Sequence, residues 1–375
     1  MHAVDALLSC WRLTLMDMAR AWPGKERVRA PLKALDRLLG NPHLHVQREH
    51  LYADMARWLL RGPQPVIIVD WSDLKANKAW SVLRAAVPVG GRTLTILDMV
   101  FPGTQQGSPA AEKHFLERLK TVIPDAATPI LVTDAGFRNP WFRVVAGMGW
   151  HWIGRLRHRT LLTRPGTVMD DQAWLPSRAL YALATRTPQD IGWMQMAQAN
   201  PLLGRVVLYR KAMRGRHRHT CFGKVARSKV SRQAAARERE PWLIVASPEL
   251  SLSARQLIKL YARRMQIELS FRDLKSHRYG QAFEDSLTRK GHRIEILLLL
   301  SALASFASWA AGLAAEAADM VDRLAPHSAK RKIYSVLRIG REAIVRQWSL
   351  DHLLRSLSWL RSLPDDVLEQ MGVPA

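Results

Sequence analysis

Two short apolar segments of the chain each end in an aspartate. Asp70 follows residues 66–69 (VIIV), and Asp134 follows residues 130–133 (ILVT). Such runs predict buried strands, and a strand that is buried along its length presents a carboxylate to solvent only where it ends. Ligands of α/β sheets bind at such ends, and Mg²⁺ prefers carboxylate oxygens. The pair predicts a shared divalent-cation site, although each aspartate alone would fit a turn or helix cap.

A third carboxylate belongs to a long helix predicted at about 253–276. Four polar side chains fall within about 60° of one another when each residue turns the helix by ~100°: Tyr261, Arg264, Glu268 and Lys275. This face offers a carboxylate for a metal ion beside a guanidinium, an ammonium and a phenol for phosphate groups. The alternative is a solvated face with internal salt bridges. Asp273 lies on nearly the opposite face and is a poor candidate ligand.

The order of the predicted elements determines which kind of sheet carries these residues. Strands are predicted at 65–70, 80–88, 93–101, 129–134, 150–156 and 242–246, with a helix at 109–123. Apolar residues at helical spacing predict helices over 1–62 and 289–375. This order predicts a mixed sheet flanked by helices, which is an α/β fold.

The segment 157–240 interrupts this order and is turn-rich and basic. Its part 201–240 contains twelve Lys and Arg residues against two acids, a net charge of +10. The whole chain has 42 Arg and 14 Lys against 32 Asp plus Glu, for a formal charge of +24. Arginine binds phosphate through two hydrogen bonds. The composition therefore favours a polyanionic partner, nucleic acid before an anionic membrane, with a generally basic proteome as the alternative.

Several classes of protein are excluded by composition. Two cysteines in 375 residues cannot form a disulfide framework or a thiolate zinc site, and they suit a reducing cytoplasm. The first residues lack the basic region of a signal peptide. Residues 296–315 carry no charge and are long enough to span a bilayer. Their second half is rich in Ala and Ser, so we expect a buried helix of a soluble protein and no membrane partner.

The spacing Tyr-x₂-Arg-x₃-Glu-x₆-Lys at 261–275 resembles the signature of the insertion-sequence-four family of bacterial DDE transposases. Its transposon-ten branch is resembled by the segments 69–73 (VDWSD), 133–137 (TDAGF) and 264–275 (RMQIE with FRDLK), and also by 40–45 (GNPHLH) and 240–243 (EPWL). The resemblance extends over about 1–345. It implies a ribonuclease-H-like mixed-sheet catalytic core at 63–156 and 241–288 with a basic, β-rich insertion at 157–240. Residues 1–62 would be a helical DNA-binding region, and 289–375 a helical region suited to dimerisation.

The resemblance also implies an activity. The family's acidic triad maps to Asp70, Asp134 and Glu268, which would bind two Mg²⁺ ions, with Mn²⁺ as a substitute. Such enzymes excise an insertion sequence by hydrolysis and hairpin formation at its terminal inverted repeats, and they join the ends to target DNA. Double-stranded DNA and a second copy of the chain in the synaptic complex are the implied partners. The implied location is the bacterial cytoplasm, at the nucleoid.

Four further positions match DNA contacts of the family. Tyr261, Arg264 and Lys275 match residues that bind phosphates near the cleaved end, and Trp242 matches a tryptophan that stacks on a flipped base. A core aromatic at the start of a strand is the alternative for Trp242.

Other polar residues are expected to lie outside the active site. Asp73 is three residues past Asp70, and Asp98 is expected to be structural. The pairs His43/His45 and His217/His219, the latter with Cys221, have near-ligand spacing but are expected to be surface or DNA-contact residues. Two other functions stay open: an inactive or truncated transposase that only binds DNA, and a nuclease of the same fold without strand transfer.

Overall fold

The computed structural model describes residues 1–24, 27–157, 160–166, 174–212, 225, 227–229, 232–233, 240–324 and 333–348. The chain divides into two compact units. The first unit comprises Met1–Ile130 and Arg263–Ala375, and the second comprises Leu131–Ala262. The domain limits expected from the sequence stay predictions.

The first unit contains three antiparallel strands. They are β1 (Val66–Asp73), β2 (Trp80–Pro88) and β3 (Thr93–Pro102), in the order β3-β2-β1. The turn between β2 and β3 contains Gly90 and Gly91 with φ of 81° and 82°. Two consecutive positive φ angles define the hairpin turn that matches the natural twist of strands, and only glycine adopts them without strain. The predicted hairpin is confirmed.

The described part of the first unit also contains α-helices. They are α1 (His2–Cys10), α2 (Leu15–Arg20), α3 (Arg29–Leu39), α4 (Pro42–Leu59), α5 (Pro109–Val122), α8 (Met265–Lys275), α9 (Gly291–Ala317) and α10 (Val336–Val345). Ser108 caps α5 by accepting from the Ala111 N–H, and Asn41 caps α4 in the same way. The helices expected at 28–40, 46–61 and 109–123 are therefore confirmed. The predicted helical region past residue 348 lies outside the described residues.

Helix α9 is long and apolar. By length and composition it is the one helix in the described part of the chain that could cross a membrane, and 78% of its most apolar window is buried inside the protein. It packs against β3, α1, α3, α4 and α10. This burial is that of a core helix, as the sequence predicted.

The second unit contains the strands β4 (Ile130–Val132), which begins at its boundary, β5 (His151–Leu156), β6 (Leu161–Thr163), β7 (Leu175–Pro176), β8 (Gln189–Met196), β9 (Leu202–Tyr209) and β10 (Trp242–Ala246). Their order is β4-β5-β10-β9-β8-β6-β7. Helices α6 (Asn139–Gly147) and α7 (Ala254–Ala262) complete the unit. Strand β10 is buried at every residue, as its unbroken apolar run predicted. The fold class predicted from the sequence, a mixed α/β fold, is confirmed.

Two predicted element boundaries are wrong. The expected single helix at 253–276 is two helices, because α7 ends at Ala262 and α8 begins at Met265. Between them the Gln266 N–H donates to the Arg263 carbonyl at 2.9 Å, a tighter turn than an α-helix makes. The expected strand end at Asp70 is also wrong, because β1 continues to pair with β2 as far as Asp73.

Candidate active site

Asp70 lies within β1 rather than at its end. The strand is buried from Val66 to Asp70 and only partly buried from Trp71 onward, so the carboxylate lies where burial stops although the ladder continues. Asp70 itself is 9% exposed. Asp70 therefore lies where the buried part of β1 ends, as predicted. The strand itself does not end there, because its pairing with β2 continues to Asp73.

Arg264 connects two of the three predicted carboxylates. Its Nη1 lies 3.2 Å from Asp70 Oδ2, and its Nη2 donates a hydrogen bond to Glu268 Oε1. Arg264 occupies the position directly before α8, and Glu268 lies in the first turn of that helix, where the helix dipole favours a negative charge. The Asp70 and Arg264 side chains are each 12% exposed, whereas Glu268 is 43% exposed. A strand and a helix thus present two carboxylates to one shared cation.

The donor chemistry of this pair fits a hard divalent cation. Asp70 and Glu268 supply carboxylate oxygens, the ligand type that Mg²⁺ selects, and one guanidinium already binds both of them. Among the residues that the structure describes, no cluster of three or more His, Cys, Asp or Glu side chains could hold a metal ion. The geometry of the first unit therefore supports a two-carboxylate pair bridged by arginine.

Lys275 lies at the other end of α8. Its Nζ donates to the Ser72 hydroxyl of β1 at 2.8 Å, two residues beyond Asp70 in the sequence. Burial lowers the pKa of the Lys275 ammonium, and the nearby carboxylates of Glu284 and Asp73 oppose this shift only in part. The last turn of α8 is thus tied to the same strand as its first turn.

Asp134 belongs to the second unit. It lies two residues past the end of β4, and its Oδ1 accepts a hydrogen bond from the Gly136 N–H at 2.7 Å. This contact is the local turn that the sequence left open as an alternative. The carboxylate is half-buried, and the preceding Thr133 is fully buried. The placement of Asp134 in a catalytic triad stays a prediction.

Trp242 and Tyr261 contact one another in the second unit. Their rings meet edge to face with centroids 5.1 Å apart, and the ring of Tyr209 also meets the indole edge to face at 6.0 Å. Trp242 is 9% exposed and Tyr261 is 4% exposed. The Lys211 ammonium lies 5.1 Å from the indole centroid. The structure thus favours the core-aromatic alternative for Trp242, with a cation beside it, and Tyr261 presents little surface. Their roles at DNA stay predictions.

A buried ion pair beside Asp70 had no clear signal in the sequence. Arg84 of β2 donates to both carboxylate oxygens of Asp98 of β3, at 2.8 and 2.7 Å. In the strand register Asp70 faces Arg84, and Arg84 faces Asp98. Burial by itself would lower the pKa of the Arg84 guanidinium, but the charge and hydrogen bonds of Asp98 outweigh burial and raise it. The expectation that Asp98 is structural fits this pair.

Arg84 also contacts helix α8. Its guanidinium lies 4.8 Å from the ring centroid of Phe271, three residues after Glu268. Cations over aromatic faces are attracted by the ring quadrupole. The buried pair therefore supports the helix that carries Glu268 as well as the strand that carries Asp70.

Trp71, the residue after Asp70, is held by a second buried carboxylate. Its indole N–H donates to Glu112 Oε1 of α5 at 3.3 Å, and its ring meets Phe101 edge to face at 5.4 Å. Glu112 is 5% exposed. These contacts fix the backbone on the C-terminal side of Asp70.

Of the two histidine pairs with near-ligand spacing, the structure describes only His43 and His45. His45 contacts the Leu39 carbonyl at 3.1 Å through Nε2 and meets the ring of His292 edge to face. The predicted set of His217, His219 and Cys221 lies outside the described residues.

The comparisons with known proteins concern the region that contains these residues. A family model described as a transposase DDE domain matches residues 61–307, about two thirds of the chain. The matched region includes Asp70, Asp134 and Glu268, and it agrees with the mixed α/β fold and a ribonuclease-H-like core. No curated protein matches the sequence significantly.

Proposed function

The chain belongs to the transposase DDE domain family, and we propose that it is an active cut-and-paste transposase. It excises an insertion sequence by hydrolysis and hairpin formation at the terminal inverted repeats, and it joins the freed ends to target DNA. The observation that carries this proposal is the Arg264 guanidinium that binds both Asp70 and Glu268. Two carboxylates held by one cation, within a +24 chain, suit the cleavage of a polyanion.

Three carboxylates are assigned to catalysis: Asp70, Asp134 and Glu268. They would bind two divalent cations, Mg²⁺ or Mn²⁺, which when bound activate the attacking oxygen and stabilise the leaving oxygen. The chain's own contribution is to hold the two carboxylates of the first unit. Asp70 is fixed by the ladder of β1, and Glu268 by the first turn of α8.

Arg264 is assigned two successive partners. Without DNA it neutralises Asp70 and Glu268, whose charges would otherwise repel one another. With DNA it binds a backbone phosphate, for which a guanidinium offers paired donors. Its side chain is long enough to exchange a carboxylate for a phosphate while its backbone stays at the start of α8.

Lys275 is assigned to a second phosphate near the cleaved end. It lies on the same helix, and its hydrogen bond to Ser72 keeps the ammonium beside the strand of Asp70. Tyr261 and Trp242 are assigned to the DNA end as well, with Trp242 stacking on an extruded base. Because both rings are buried and in contact, stacking on a base requires Trp242 to become accessible.

Double-stranded DNA and a second copy of the chain are the proposed partners, since both ends of an element must be cut together. The proposed location is the bacterial cytoplasm, at the nucleoid. We further assign the chain to the transposon-ten branch of the insertion-sequence-four family, on the segments 69–73, 133–137 and 264–275.

The test is a cleavage assay on DNA that carries the inverted repeats flanking the gene. The unmodified chain with Mg²⁺ should release hairpin ends, and Glu268→Gln should abolish release while a gel shift still detects binding. Glu117→Gln, on the exposed face of α5 beside Lys113, is the matched control and should cleave normally. Cleavage that survives Glu268→Gln would refute the triad. Nicked products without hairpins would indicate a nuclease without strand transfer, and a gel shift without cleavage would indicate an inactive DNA-binding relative.

A further inference from the structure

The first unit contains a cavity that none of the proposed catalytic or DNA-end residues lines. Its volume is ≈ 720 Å³, which is within the usual range for small-molecule sites of roughly 300–1,000 Å³. Ser270 and Asp273 of α8 form part of its wall. They lie at about 200° and 140° around the helix from Glu268, so this part of the wall faces away from the catalytic carboxylate, whereas Arg272 of the same wall lies about 40° from it.

The wall of this cavity is strongly basic. Five arginines line it, against one carboxylate, that of Asp273: Arg84, Arg92, Arg272, Arg338 and Arg341. Further acids outside the lining neutralise two of them, since Asp98 binds Arg84 and Glu342 binds Arg338 at 2.7 Å. Asp273 itself binds Arg92. A positive charge therefore remains on the wall after these pairs are counted.

Arg341 carries part of this unneutralised charge. Within the part of the chain that the structure describes, no carboxylate lies within ion-pair distance of its guanidinium, which instead lies 5.1 Å from the indole centroid of Trp11. Its Nε is buried and has no hydrogen-bond partner among the described residues. Burial, which is unfavourable for the charged guanidinium, lowers its pKa, and the nearby Arg338 charge lowers it further against the opposite effect of Glu342. A bound anion would relieve this cost.

A second unpaired donor lines the same cavity. Gln281 is 3% exposed, its Oε1 accepts from the Ser301 hydroxyl, and its Nε2 has no partner among the described residues. An amide N–H₂ group in a cavity wall can donate hydrogen bonds to a ligand. The amide and Arg341 are therefore two separate donors in the wall of one cavity.

The remaining lining suits a planar group beside an anion. Tyr279 is 73% exposed and Tyr334 is 37% exposed, and both line the cavity together with Trp11. Aromatic side chains stack on nucleobases with little dependence on base identity. Arginine, amide and hydroxyl donors are the groups that bind phosphate oxygens. The chemistry of the wall thus combines a phosphate subsite with an aromatic one.

We propose that this cavity binds the phosphate and base of one unpaired nucleotide, with Arg341 and Gln281 on the phosphate. The nucleotide is either free or part of a single strand of DNA, and the two sources share this chemistry. The site is separate from the carboxylates of the proposed function, so it does not depend on the catalytic assignment.

The test is calorimetric titration of the full chain in EDTA with three probes: thymidine monophosphate, a single-stranded oligonucleotide of four thymidines, and inorganic phosphate. We expect the nucleotide probes to bind and phosphate alone to bind much more weakly. Arg341→Met should weaken the nucleotide probes by about tenfold to a hundredfold, since one charge-assisted hydrogen bond is lost. Arg346→Met is the control, because Arg346 directly follows α10, is 57% exposed beside Glu342 and does not line the cavity.

A second variant keeps the test valid if Arg341→Met fails to fold. Arg272→Gln changes a side chain that is 64% exposed and should weaken the same probes by a smaller factor, with unchanged circular dichroism. The proposal is overturned if neither nucleotide probe binds, if phosphate binds as tightly as they do, or if Arg341→Met and Arg346→Met have equal effects. Because the titration needs no cleavage, nucleotide binding can be detected even if the cleavage assay shows no activity. Cleavage can likewise be detected even if no nucleotide binds in this cavity.

Discussion

The substitution Asp98→Asn tests whether the buried ion pair supports the candidate active site. Asp98 is fully buried and Arg84 is 4% exposed, and two hydrogen bonds of 2.8 and 2.7 Å join them. The change leaves the Arg84 charge buried without its counter-charge. Breaking a buried pair in this way costs about 3–5 kcal/mol. We therefore expect the free energy of unfolding, measured by urea titration with tryptophan fluorescence, to fall by about that amount.

The matched control is Asp36→Asn, in the same unit. Asp36 pairs with Arg293, but its side chain is 62% exposed, and exposed pairs contribute about 0–1 kcal/mol. The double variant Arg84→Met/Asp98→Leu removes both buried charges and should recover most of the loss, since apolar replacements of buried pairs are often neutral. The reasoning is refuted if Asp98→Asn costs no more than Asp36→Asn, or if the double variant is less stable than Asp98→Asn.

Three further substitutions test other contacts. Lys275→Met should unfold at higher urea than the unmodified chain at pH 7, because burial disfavours the ammonium. Folding lowers the pKa of the Lys275 ammonium, so the unfolded chain binds more protons between this lowered pKa and the ordinary value of 10.5. The unmodified chain therefore becomes more stable as the pH rises through this range, and the stability difference between the variant and the unmodified chain should shrink there. Gly340→Ala would place a Cβ 1.6 Å from the Ser308 carbonyl oxygen, so α9 and α10 must separate and the melting temperature should fall, whereas an unchanged value would contradict this packing. Trp242→Ala should cost about 3–5 kcal/mol in urea titration, and a loss under 1 kcal/mol would show that the ring is not a core residue.

Sequence patterns predicted the elements that local physics dictates. The β-branched run at 66–69 specified β1, because such a run is typical of a buried strand. The Gly90–Gly91 pair specified the hairpin turn, because glycine adopts positive φ angles without strain. Predicting that Arg84 pairs with Asp98 requires the register of β2 and β3 as well as the positions of the strands. Pairing outward from the turn matches Pro88 with Thr93, and continuing it would place Arg84 opposite Leu97. A bulge between Ala85 and Ala86 shifts the register by one residue, which brings Asp98 opposite Arg84 instead. No residue type marks that bulge, so the ion pair was not predictable.

The break between α7 and α8 was not predictable from the sequence either, and it changes the electrostatic surroundings of Arg264. Residues 261–266 (YARRMQ) contain no glycine or proline, so helix propensity favours an unbroken helix. With the break, a helix begins directly after Arg264, and the dipole of α8 adds positive potential where the guanidinium already lies. A cation at a helix start is unfavourable unless anions neutralise it. Asp70 and Glu268 do so here, and a DNA phosphate is the anion that can replace them, so the break favours binding of the substrate proposed for this site.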